Sequence, residues 1–411
     1  MDVFGKILSW CGQFGRVFRN EFKRIFGDMG VMLFFIALPL LYPVVYTLIY
    51  NPEVVRKLPV AVVDNSLSAD SRDFVRKASA SPSIEIYAYC PNMAEAKELM
   101  AEHKVFGVLQ IDKDYARNLG NGVPAHVYFY SDMSLLLRYR TFIAALTDLQ
   151  IDCISSITGE KISAAGLSSL AGGMKAPINS QSNFLGDTEQ GFASFIIPGI
   201  VILILQQSML LGIGMLGGTA RERRRRFGGA DPSEVDACTT ATVWGRAFAY
   251  VVFYIPLTIY ILRFIPEMFN LPHYGDPVDY LLFILPLLLA SAFLGQCLVY
   301  FMKERETGFI LIVFTSVVFL FLSGLTWPRF AMAPVWKGLG DLVPATWGVE
   351  GFIRINSNSA SLAEVARPFV ALWILAFAYM LIACWVTLKV KVIDGGYRIN
   401  LNRQSHIQQT E

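Results

Sequence analysis

The chain has 411 residues, of which 54% are hydrophobic and only 17% charged, and its mean hydropathy is +0.46. That is more apolar surface than a water-soluble fold can bury, so the composition excludes an ordinary soluble enzyme and points to a polytopic membrane protein. The net charge of +2 gives no reason to expect nucleic acid as a partner.

Residues 1–30 open the chain. From Val3 to Phe26 apolar residues recur at helical spacing (Phe4, Ile7, Leu8, Cys11, Phe14, Phe18, Phe22, Ile25), with Lys6, Arg16, Arg19, Lys23 and Arg24 between them. This pattern predicts an amphipathic helix lying in the membrane interface; a soluble helix packed on a partner protein is the plainer alternative. Residues 31–50 are apolar throughout and form the first span, with Pro39 and Pro43 inside it. The region before it is too long for a secretory signal, and no small-x-small cleavage site follows Tyr46, so the span is expected to stay as an anchor.

Residues 51–190 change character to that of an α/β domain. LPVAVVD from Leu58 and SIEIYAY from Ser83 read as strands, with a helix over Ala69–Ala80 between them. Asn92 followed by Glu95 resembles a capping box for a helix to His103. VFGVLQI and AHVYFY supply two more strands, and the alternation predicts a largely parallel or mixed sheet. A long helix from Leu135 to about Leu170 and a Gly-, Ser- and Asn-rich linker, Ala171 to Gln190, return the chain to the bilayer. Cys90 and Cys153 are the two cysteines of this domain, and a disulfide and two free thiols both stand as readings.

Gln190 to Ala220 carries no charge and runs directly into Arg221, Glu222, Arg223, Arg224, Arg225 and Arg226. Two thirds of it would cross a hydrocarbon core of roughly 30 Å. Basic flanks stay on the cytoplasmic side, so this second span is expected to enter from outside near Phe192 and to leave near Thr219. Four more spans are predicted at Ala247–Ile265, Tyr280–Met302, Thr307–Pro328 and Pro368–Leu388, which makes 191–388 a five-helix bundle and 389–411 a cytoplasmic tail. With this topology the inner segments hold sixteen Lys and Arg and the short outer loops four, which puts both termini inside. The fold class expected is a polytopic α-helical membrane protein of six transmembrane helices with an inserted extracytoplasmic α/β domain.

Motifs for chemistry are missing. No GxxxxGK followed by Ser or Thr, no HExxH and no GxSxG occurs, and the six cysteines show no metal-ligand spacing. The chain is therefore expected to have no catalytic residues, no metal and no cofactor of its own. Gln206 and Gln207 in the second span and Gln296 in the fourth either line a polar substrate path or hold the bundle together by interhelical hydrogen bonds. In the last outer loop Pro328, Pro334 and Pro344 break the backbone while Trp327, Trp336 and Trp347 recur at interfacial spacing. They form either an outer gate that dips into the membrane or a passive aromatic belt.

SGLTWPRFAMAPVWKGLGDLVPATWGVEGF (Ser323–Phe352) is similar to the last outer loop of type-two ABC exporter permeases. FASFIIPGIVILIL (Phe192–Leu205) resembles the Pro-Gly opening of their second span, ERRRRFGGADPSE occupies the place of their charged coupling segment, and VAVVDNSLSADSR resembles the start of their outer domain. The resemblance covers nearly the whole chain. It departs where the family often has Gly-Thr-x-Glu and this chain has Phe227-Gly228-Gly229-Ala230-Asp231-Pro232.

The resemblance implies an inner-membrane permease that pairs with a second permease subunit, as a homo- or heterodimer. Cytoplasmic ATP-binding subunits carrying ATP and Mg would dock under Arg221–Arg226. The expected function is export, or efflux, of a hydrophobic, amphipathic or lipid-linked substrate, with membrane lipid around it and a periplasmic adaptor as a further partner. The alternative is a non-transporting surface or secretion-scaffold protein with the same membrane plan.

Overall fold

Long apolar runs leave the backbone one way to satisfy its N–H and C=O groups without water, which is to form helices. The computed structural model describes residues 3–50, 57–131, 142–154, 156, 192–227 and 233–408. Among these, six helices are long and apolar enough to cross a membrane. The chain forms two compact units, Met1–Glu53 with Phe184–Glu411, and Val54–Asn183.

The first unit opens with α1 (Val3–Gly27) and α2 (Met29–Tyr50). Asp28 separates them by capping α2: its carboxylate accepts from Gly30 N at 3.0 Å and Val31 N at 3.2 Å. A π turn over Leu33–Ala37 absorbs the entry of Pro39 into α2. The rings of Trp10, Phe14, Phe18, Phe22 and Phe26 stack one turn apart along α1, and Phe14, Phe22 and Phe26 meet Phe248 and Phe253 of the third span. The helix predicted for the membrane interface is thus laid lengthwise against another helix of its own chain.

The second unit is a small mixed sheet with helices. Its elements are β1 (Leu58–Asp64), α3 (Ala69–Ala80), β2 (Ile84–Tyr89), α4 (Met93–Ala101), β3 (Gly107–Ile111), α5 (Tyr115–Asn121) and β4 (Val127–Ser131), followed by α6 over residues 142–154. The strand order is β2-β1-β3-β4. β1 pairs parallel with β2 and β3, and β4 closes antiparallel on β3.

The four predicted strands all form, and the two expected helices start at side-chain caps: Ser68 in a full capping box with Ser71, and Asn92 accepting from Glu95 N at 2.9 Å. Alternate β1 residues point to opposite faces. Val60 and Val62 pack with Phe142, Leu146 and Cys153 on one face, and Ala61 and Val63 with Ala96 and Cys90 on the other. Cys90 and Cys153 are both buried and free, and the sheet between them rules out a bridge. The remainder of the predicted Leu135–Leu170 helix and the 171–190 linker lie outside the described residues.

The chain then returns to the first unit. α7 runs over Phe192–Arg226, α8 over Thr239–Phe269, α9 over Pro277–Phe301 and α10 over Arg305–Leu322. Two short helices follow, α11 (Pro334–Asp341) and α12 (Pro344–Asn358), and then α13 (Ala366–Gln408). α7 and α9 form the centre, each with 78% of its most apolar stretch buried, against 22%, 17% and 22% for α2, α10 and α13. Those three leave broad apolar faces that only lipid or another protein can cover. Small residues let the backbones close: a Cβ on Gly212 would sit 1.8 Å from the Phe35 ring, and one on Gly218 would sit 2.6 Å from the Glu304 carbonyl oxygen.

Four spans differ clearly from their predicted bounds, among them α13, which stays helical to Gln408 through most of the predicted 389–411 tail. α7 does not stop at Thr219 but carries the arginines as its last turns, because arginine is a good helix former and cations at a helix C-terminus oppose its dipole. α8 is longer at both ends than Ala247–Ile265, since Arg246 and Arg263 stay helical on acidic partners, Arg263 with Glu267 at 2.6 Å. α10 ends at Leu322, where Ser323 and Gly324 (φ 87°) turn the chain out, so Trp327 and Pro328 are not part of the span.

Candidate functional site

The end of α7 that carries the arginines is tied down on two sides. Towards α10, Arg221 Nη1 donates to the carbonyls of Tyr300 at 2.7 Å and Met302 at 2.9 Å. Glu222 Oε1 accepts from Arg305 N at 3.2 Å, and Arg225 lies 3.8 Å from Glu304. Arg305 in turn grips Asp28 through both terminal nitrogens at 2.7 and 2.9 Å, so the starts of α2 and α10 are locked to the end of α7. Burial pushes the Asp28 carboxyl up, but Arg305 and the Val31 and Gly30 amides outweigh it and hold it below its ordinary range.

On the other side stands a network that sequence reading missed. Arg224 Nε donates to Glu234 at 2.9 Å and Arg246 Nη2 donates to it at 2.8 Å. Arg246 also lies 3.6 Å from Glu21 of α1, which accepts from Arg24 at 3.1 Å and from the Tyr250 hydroxyl. Glu21 is 2% exposed. Burial pushes Glu21 up, and Arg24, Arg246 and the Tyr250 hydroxyl together bring it below its ordinary value despite Glu234 nearby. Burial likewise opposes ionisation of Glu234, yet Arg246 and Arg224 hold it at about 2. The available signal was weak: one glutamate on the apolar stripe of α1 and one arginine at the start of a span.

The six residues of the arginine run therefore do different jobs. Arg221, Glu222 and Arg224 are turned into their own protein, whereas Arg223, Arg225 and Arg226 are exposed.

The three glutamines have different surroundings. Gln206 is buried and its Oε1 accepts from the backbone N–H of Ala345 at 2.6 Å. Gln296 Nε2 donates to the Val243 carbonyl at 3.3 Å, joining α9 to α8. Both ends of the Gln207 amide are buried without a hydrogen-bond partner among the described residues.

The bond at Gln206 fixes how the 323–358 segment sits. Ala345 meets Gln206, Gly348 meets Ile202, and Ile353 meets Gly199, so α12 runs antiparallel along the first half of α7. Its N-terminus lies beside the middle of that span. α11 and α12 thus form a helical hairpin whose turn lies beside the middle of α7. Pro344 and Trp347 are buried at its tip and inner wall, while Trp327, Pro328 and Trp336 are exposed.

Arg329 pins the pair. It pairs with Asp341 at the end of α11 and with Glu350 of α12, and its guanidinium lies 4.7 Å from the Trp347 ring centroid. The Trp347 indole N–H donates to the Asp341 carbonyl at 2.9 Å.

Among the described residues no group of three or more His, Cys, Asp or Glu could hold a metal ion. A family model described as ABC-2 family transporter protein matches residues 30–385. No curated protein matches the chain. With that match spanning all six candidate spans, the chain belongs to the ABC-2 transporter family, as a multi-pass membrane permease that associates with an ATP-binding subunit.

Proposed function

We propose that this chain is the permease of an exporter that moves a hydrophobic, amphipathic or lipid-linked substrate out of the cytoplasm or inner leaflet. ATP and Mg are held by the separate ATPase, which docks on the arginine-bearing end of α7. One observation carries the reading within the family: Arg223, Arg225 and Arg226 are exposed on a helix whose other charged residues are bound to Glu234, to the end of α9 and to the start of α10. A push on this end is passed on, because α7 is the central helix of the bundle.

In this reading the arginine end, both termini and the 300–305 turn are cytoplasmic, in keeping with the excess of basic residues there, and residues 51–190 lie outside. The apolar faces of α2, α10 and α13 suit a second permease subunit and lipid. Closure of the ATPases would rock α7 and α10 together and shift α12 through Gln206, so that the hairpin of α11 and α12 acts as the outer gate. A periplasmic adaptor would complete an efflux route in the inner membrane.

Co-purification tests this. Tagged permease is expected to bring down an ATPase, and the charge-reversed variant Arg223→Glu/Arg226→Glu is expected to lose it while still reaching the membrane. Retention of the ATPase by that variant would refute docking at this end.

A further inference from the structure

Where α1, the start of α2 and the last turns of α7 meet, there is a cavity of about 220 Å³ lined by Lys23, Arg24, Asp28, Leu216, Thr219 and Arg223. Three of these side chains are cationic and one is anionic, and the anionic one is spent: the Asp28 carboxylate already accepts from Arg305 and from the Gly30 and Val31 amides. Arg24 is committed to Glu21. Lys23 makes no hydrogen bond or ion pair among the described residues, and Arg223 makes one long bond, 3.4 Å to Ser233 Oγ. The Thr219 hydroxyl is buried with no hydrogen-bond partner among the described residues, an unfavourable arrangement that a ligand would relieve. The cavity thus has two cations and a hydroxyl in surplus, which is the donor set of a phosphate site.

Its position selects the kind of phosphate. Asp28 is the cap of α2, and Gly218, beside Thr219, packs against the Glu304–Arg305 backbone where α10 begins. Two spans therefore start at this level, which is where hydrocarbon gives way to headgroups. Leu216 lines the cavity, and the next turns of α2 expose Met29 and Leu33, apolar surface on which acyl chains can lie.

We propose that this cavity binds the phosphate of an anionic membrane phospholipid, held by Lys23 and Arg223 with the Thr219 hydroxyl as a further donor. Basic pockets between membrane helices hold headgroups by this chemistry. The site requires only that the protein is membrane-embedded, and it shares Arg223 with the proposed docking end of α7 while Lys23 belongs to this site alone.

The test is native mass spectrometry of the purified full chain in detergent, titrated with phosphatidylglycerol against phosphatidylcholine. Wild-type protein is expected to retain phosphatidylglycerol at least about fivefold more strongly, as one uncompensated cation near a membrane surface supplies. In Lys23→Gln/Arg223→Gln the ratio is expected to fall to about one. Thr219→Val, which keeps the side-chain shape, is expected to weaken phosphatidylglycerol binding about threefold at a melting temperature no lower than that of the wild type, which separates loss of the site from loss of the fold. No lipid preference in the wild type, or a preference that survives both variants, would overturn the proposal. So would displacement of the lipid by equimolar glycerol phosphate, which would make the ligand a soluble phosphate ester.

Discussion

Gln206, midway along α7, accepts a hydrogen bond from the backbone N–H of Ala345 in the first turn of α12. The first N–H groups of a helix have no partner within it, and this one is buried beside a membrane span, where water is not at hand. The side chain, read from sequence as lining a substrate path or as holding helices together, caps α12. Gln206→Leu leaves the amide unsatisfied, at about 1–3 kcal/mol. A lower melting temperature in detergent is expected, together with faster cysteine labelling of the 342–347 turn. Gln206→Glu, which keeps an acceptor, is expected to preserve more of the protection than leucine does.

Arg246 sits between two carboxylates, Glu234 and Glu21, and is their common cation. Removing it takes one cation from each of two acids, leaving Glu234 with Arg224 and Glu21 with Arg24, whereas removing Glu234 leaves Arg246 with Glu21. Arg246→Met is therefore expected to destabilise the protein more than Glu234→Gln does, and the double variant to be better than the sum of the two. The coupling expected for a partly buried network is about 1–3 kcal/mol. Strict additivity in thermal unfolding would show that the contact carries no energy.

Much of this fold is legible in sequence because it depends on one-dimensional patterns. Hydropathy finds the spans, a buried apolar run finds β1, alternation finds β2, and Asn92 with Glu95 announces the helix it caps. The pinning contacts are not legible, because they join residues far apart: Glu21 with Arg246, Asp28 with Arg305, Gln206 with Ala345. A lone charge or amide states that a partner is needed and not which one. The arginine run is legible only in part for a related reason. Its charge announces a side of the membrane, but its helix propensity lets α7 continue, so half the run faces its own protein.

The same network makes stability depend on acid. Glu234 is held at about 2, below its ordinary 4.5, and Glu21 and Asp28 are also lowered. A carboxylate with a depressed folded-state value contributes stability that is fully present above its unfolded value, and that is lost as pH falls through the folded one. The melting temperature is expected to be level from pH 7 to about 5 and to fall between about 4.5 and 2. Glu234→Gln is expected to start lower at pH 7 and to fall less steeply. Parallel curves for the two proteins would mean that Glu234 does not carry the linkage.

Arg329 offers the sharpest test of the hairpin, because three contacts converge on one planar group. Its guanidinium bridges Asp341 and Glu350 and stacks on Trp347, a task that needs a fork and a flat face. Lysine keeps the charge and provides neither. Arg329→Lys is therefore expected to behave nearly like Arg329→Gln, with red-shifted tryptophan emission as Trp347 gains water and with increased quenching by iodide. A Trp347→Phe background removes that signal and identifies its source. If lysine restores the wild-type spectrum, charge alone holds α11 to α12, and the stacked geometry contributes nothing to the closed pair.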